Sequence, residues 1–74
     1  MGQTVILDAR ELGPHELLDR VLVAVREFVR GDRLRVLVEY EPVTLYRILE
    51  RNNFGHVVEQ GEDSVYVVTL WQKE

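Results

Sequence analysis

The side chains able to do chemistry are few and poorly spaced for it. The 74 residues include two histidines, His15 and His56, no cysteine, and thirteen acids against nine basic residues. A metal site wants three or four ligands at a recognisable spacing. The histidines fall on different predicted elements, outside any His-x-x-x-His pattern, with Glu16 and Glu59 as the acids nearest to them. The absence of cysteine removes disulfides, thiolate metal sites, thiol nucleophiles and persulfide carriage together. Ser64 is the only serine and is far in sequence from both histidines. Thirteen acids on so short a chain guarantee chance pairs, so carboxylate pairing carries no weight. General acid–base work needs an enclosed pocket that shifts a pKa, and a domain of this size rarely holds one. The expectation is no enzyme, no metal and no cofactor.

One stretch concentrates the remaining candidates: Leu7-Asp8-Ala9-Arg10-Glu11-Leu12-Gly13-Pro14-His15-Glu16. It reads as the exit of a strand, a tight loop and the start of a helix. The N–H groups of His15, Glu16 and Leu17 could receive an anion, with Arg10 closing over it. The competing arrangement is that Asp8 or Glu16 already supplies the negative charge and pairs with Arg10. Arg10, Glu11, Gly13, Pro14 and His15 are therefore candidate contacts for a partner or ligand.

The elements that must position this junction follow from periodicity. Thr4 to Ala9 is β-branched and apolar, a strand. Pro14 sits where a first helical residue loses nothing by lacking an N–H. From about Pro14 to Val29, Leu17, Leu18, Val21, Leu22, Val25, Phe28 and Val29 recur at helical spacing, and Gly31 follows as the cap. Leu34 to Tyr40 alternates strictly, with Leu34, Val36, Val38 and Tyr40 on one face. Pro42 opens a second helix running to about Asn52. Phe54 to Gln60 is a third strand, Gln60 to Asp63 a turn, and Ser64 to Gln72 a fourth strand, apolar on both faces and hence central. The order is βαβαββ, a single α/β domain over residues 1–74. Right-handed crossovers put both helices on one face of a four-stranded mixed sheet of order 1-2-4-3.

A two-layer fold leaves the other face of that sheet uncovered. With Tyr66, Val68 and Leu70 turned to the helices, Val65, Val67, Thr69 and Trp71 face outward, joined by Leu37 and Val57. An apolar patch bearing a tryptophan and rimmed by Arg33, Arg35, Glu39 and Glu59 has the character of a contact surface for a protein partner or a second copy of the chain. The competing reading is that the Arg and Glu stems simply cover it. A net charge of −4 with a single lysine argues against nucleic acid and anionic membranes. Without a signal-like opening segment or a long apolar run, a cytoplasmic protein is the expectation.

The motifs resemble a known group. Leu7-Asp8-x-Arg10-Glu11-Leu12, the Gly31-Asp32 turn, Glu41-Pro42 with Leu45-Tyr46, and Leu49-Glu50-Arg51 are similar to the DUF2249 family of small uncharacterised bacterial proteins, within the TusA/SirA-like fold. In the sulfur-carrier branch of that fold a cysteine begins the first helix. Aligning the Leu-Asp-Ala segments places Pro14 there, and proline has no nucleophile. The resemblance therefore implies a small accessory domain without persulfide chemistry. The expected function is a protein-binding module using the junction, the open face or both. The alternative is a small-ligand, anion or metal binder at the junction, linked to redox metabolism.

Overall fold

The alternating segment Arg33–Val38 sets the centre of the molecule. Leu34, Val36 and Val38 are fully buried on one side, while Arg33 and Arg35 are exposed on the other. The computed structural model describes residues 2–73; Met1 and Glu74, the ends of the expected domain, lie outside the described residues. The elements in chain order are β1 (Thr4–Asp8), α1 (Pro14–Val25), β2 (Arg33–Val38), α2 (Val43–Arg51), β3 (Phe54–Gln60) and β4 (Tyr66–Gln72), with a 3-10 turn at Glu62–Ser64 inside the last hairpin. The sheet order is β1-β2-β4-β3. β1 runs parallel to β2, as a helical crossover requires, and β4 runs antiparallel to both its neighbours. The predicted topology is the observed one.

Register separates two faces. Val5 and Leu7, Leu34, Val36 and Val38, Tyr66, Val68 and Leu70, and His56 and Val58 share the side that faces the helices. There Leu17 and Val21 of α1 and Leu45 and Leu49 of α2 close a core with Ala9, Leu34, Val36, Val38, Val68 and Leu70. Among the described residues no polar or charged residue is buried as a whole. Each such Leu or Val contributes about 1.5–3 kcal/mol by leaving water, which is how a chain this short and without cysteine sustains a core.

The structure corrects three local expectations. α1 stops at Val25, not near Val29. The Asp32 carboxylate accepts the N–H of Val29 at 3.0 Å and the N–H of Gln3, just before the neighbouring strand β1, also at 3.0 Å. Val29 is thereby drawn off the helix into a turn, leaving Phe28 to pack on the core from irregular backbone. The two N–H donors, Val29 first, hold the Asp32 carboxyl below the usual carboxylate range. Gly31, at φ +92°, makes the turn into β2 in a region that disfavours side chains. Second, β2 ends at Val38, opposite the first residue of β4, so Tyr40 falls in a bend beyond the ladder. Third, β4 begins at Tyr66, because Asp63 and Ser64 both adopt positive φ, 56° and 63°, and complete the turn that Gly61 enters.

Candidate functional site

At the junction, the loop after β1 folds back on its own strand. The Arg10 guanidinium forms a fork with Asp8, Nε to Oδ1 at 2.9 Å and Nη2 to Oδ2 at 2.7 Å, and the Arg10 backbone N–H adds a third bond to Oδ1 at 3.2 Å. These hydrogen bonds, the side-chain ones foremost, pull the Asp8 pKa down to about 2, and the carboxylate in turn raises Arg10. Pro14 is the first residue of α1 and Gly13 its cap, without a side-chain cap bond. The Leu17 N–H is bonded to the Gly13 carbonyl at 2.9 Å. An incoming anion would thus find Arg10 held by Asp8 and one of the three expected amides already bonded. Gly13 has an ordinary φ of −73°, and a Cβ there would meet nothing within 4 Å, so its backbone does not demand glycine.

The junction residues divide between two concavities. Arg10 and Glu11, with Asp8, Leu12 and Glu39, line a cleft of about 520 Å³ holding three carboxylates against one arginine. Pro14 and His15 line a separate groove of about 330 Å³ on the helix side, between the starts of α1 and α2, with Leu18, Tyr40 and Val43. Among the described residues no three of His, Cys, Asp and Glu come together in a way that would hold a metal ion, and no helix is long and apolar enough to cross a membrane.

The open face is where the other candidates assemble. Its three cross-strand rows are Thr4, Arg33, Trp71, Gly55; then Ile6, Arg35, Thr69, Val57; then Asp8, Leu37, Val67, Glu59. Leu37 and Val67 are direct neighbours, and Trp71 lies two residues away along β4. Val65 does not reach β4: its carbonyl accepts from Gly61 and its N–H donates to Glu62 in the hairpin turn. The Asp8–Arg10 pair joins the junction to one corner of this face, whereas Pro14 and His15 belong to the opposite side of the sheet.

Trp71 is built in more firmly than its sequence position announces. A Cβ on Gly55, its partner across β3, would lie 2.5 Å from indole Cε2, so the ring lies against the bare glycine backbone. The Arg33 guanidinium carbon stands 4.8 Å from the ring centroid, a cation–π contact from the opposite strand. A glycine inside a strand often marks such a close approach; that signal was present in the sequence at Gly55. On the helix side, Tyr46 stacks on His56 with ring centroids 4.8 Å apart and planes 10° apart. Burial first, then the Glu41 carboxylate, pushes the Tyr46 phenol above its usual pKa. Its hydroxyl oxygen is buried with no partner in hydrogen-bonding geometry.

A family of uncharacterised conserved proteins, DUF2249, matches residues 6–72. The chain belongs to the DUF2249 family. No curated protein and no solved structure matches it. The family match runs from the middle of β1 to the end of β4, so the junction and all of the open face but Thr4 fall inside the matched region.

Proposed function

We propose that this DUF2249 protein is a small bacterial, cytoplasmic protein-binding module with a TusA-like fold and no catalytic activity of its own, which docks a protein partner on the open face of its sheet. The observation that carries this reading is the Trp71 platform. A half-buried indole lies against Gly55 with Arg33 beside it, next to half-buried Leu37 and Val67 and exposed Val57, on the face of the sheet turned away from the helices. Tryptophan and arginine dominate the energetics of protein interfaces when a partner desolvates them. Arg33 and Arg35 give the apolar centre a positive side, so the fitting partner presents an aliphatic or aromatic anchor flanked by carboxylates. Pairing of Arg10 with Asp8 favours this face over an anion site at the junction.

The test is affinity capture from native lysate with wild type, Trp71→Glu and Arg10→Glu, followed by rebinding of any captured protein in purified form. The expected result is a protein retained by wild type and Arg10→Glu and lost with Trp71→Glu. Loss with Arg10→Glu alone would move the contact to the junction. The ligand reading has its own outcome: a rise in melting temperature with inorganic phosphate, a nucleotide or a divalent metal, by mass action, abolished in Arg10→Glu.

A further inference from the structure

β1 pairs only with β2, and its other edge is open. The Arg33 N–H donates to the Gln3 carbonyl at 2.8 Å and the Ala9 N–H donates to the Leu37 carbonyl at 2.9 Å, bracketing β1 on its β2 side. Backbone groups of successive strand residues point alternately to opposite edges. Val5 and Leu7 therefore also face β2, and the N–H and C=O groups of Thr4, Ile6 and Asp8 point to the free edge. Natural edge strands are blunted with charges, prolines or bulges. The interior of this one, Val5-Ile6-Leu7, has none of these, and Ile6 is 65% and Val5 45% exposed.

We propose that two copies of this chain join antiparallel through β1 about a two-fold axis at Ile6. In that register Ile6 meets Ile6 of the second copy, Thr4 meets Asp8, and Val5 meets Leu7. The outward-pointing residues oppose one another as hydrogen-bonded pairs, each exchanging two N–H···O=C bonds. Val5 and Leu7 form the closer, non-hydrogen-bonded pairs on the helix face, covering apolar surface that one copy leaves half open. The register also avoids repulsion: each Asp8, already paired with Arg10 of its own chain, lies beside a threonine and meets no like charge. α2 packs on the β3 side of the sheet, and Leu18 of α1 is turned to the groove between the helices. Helical spacing then puts Glu16, Arg20 and Val23 on the opposite flank of α1, toward this edge. Val23 is 60% exposed there, and Glu16 and Arg20 provide opposite charges for the antiparallel α1 of the second copy. An interface that maps onto itself in this way is isologous, the commonest kind among homo-oligomers. The product is one eight-stranded sheet, with both Trp71 platforms on a single continuous face.

Sedimentation equilibrium of the full chain tests this, with far-UV circular dichroism confirming the fold of each variant. Wild type should reach twice the monomer mass as concentration rises. Ile6→Lys, which sets two cations side by side on the axis, should lose the dimer. Val57→Lys, the same change from aliphatic to cation on the open face of the other edge strand, should keep it, and so should Trp71→Glu. A second measurement stands apart from any loss of fold. The chain has no cysteine, and facing residues of a hydrogen-bonded antiparallel pair bring their Cα atoms to about 5.5 Å, within disulfide range. Ile6→Cys should therefore cross-link to a covalent dimer on mild oxidation while Val57→Cys does not. A wild-type protein that stays monomeric at every concentration, a dimer lost in Trp71→Glu but kept in Ile6→Lys, or equal cross-linking at the two positions would each overturn the proposal.

Discussion

β1 and β3 are the two edges of one sheet, and they are fastened in opposite ways. β3 is joined to β4 by a tight hairpin, carries α2 on its helix side, is gripped there by the Tyr46–His56 stack, and is overlaid on the open face by Trp71 at Gly55. Its edge also ends in Glu59 and Gln60. β1 has a shorter ladder and one parallel neighbour; its ends are secured by the backbone bonds at Gln3 and Ala9, the Asp32 bond to Gln3 and the Asp8–Arg10 fork. The difference teaches that the two edges have different work. β3 has both faces packed within the chain, whereas β1 is more lightly held and carries an apolar, uncharged edge, which suits it to the pairing proposed above.

Substitutions can break or sharpen that contrast. The largest effect is expected at Gly55→Val on the packed edge. The new Cβ would overlap the indole and lift it off the sheet, an overpacking cost of about 1–3 kcal/mol, only partly offset by better strand propensity, at most about 1 kcal/mol. Urea denaturation should show the lowered midpoint, and an unchanged midpoint would mean Trp71 does not clamp β3. Next is Tyr46→Phe, which keeps the stack on His56 and deletes a buried hydroxyl without a partner. Stability should rise by about 1 kcal/mol; a fall would show that the hydroxyl is satisfied in solution. On the loose edge, Ile6→Ala should change the stability of the dilute monomer by no more than about 0.5 kcal/mol, as a side chain two-thirds exposed on an unpacked strand requires.

The smallest effect belongs to the Asp8–Arg10 fork. The Asp8 pKa is lowered from 3.8 to about 2 in the folded chain. Its contribution is therefore present above about pH 4 and lost as the pH falls from there through about 2. Replacing Asp8 with Asn should flatten the acid limb of the stability profile in that window and lower neutral stability by the same amount, a small one because both groups are solvent-exposed and screened. An acid limb identical to that of wild type would place the pH sensitivity at Asp32, whose carboxyl is also lowered.

The sequence made the fold readable because its signals were local. Strict alternation placed Leu34, Val36 and Val38 inside. The apolar run of β4 marked it as central and put Trp71 outward. Pro14 marked the first helical residue, and β3 was delimited by Asn53 and Gly61. What it hid depends on partners distant in the chain. Phe28 and Val29 continue the helical period, and only Asp32, bonded at once to Val29 and Gln3, ends α1 early. The Arg10–Asp8 pairing was one of two arrangements open from spacing. The Trp71–Gly55–Arg33 assembly needs three strands in register, and the Tyr46–His56 stack needs a helix laid over a strand. Of these only Gly55 left a local trace.

The placement of Trp71 has an optical consequence. It is the only tryptophan in the chain, so its emission is an intrinsic signal from the open face alone. A protein that docks there should shift the emission to the blue and shield it from iodide. Association through β1, on the far side of β2, should leave the spectrum where it was. One titration, without a label, separates the two kinds of contact proposed for this small sheet.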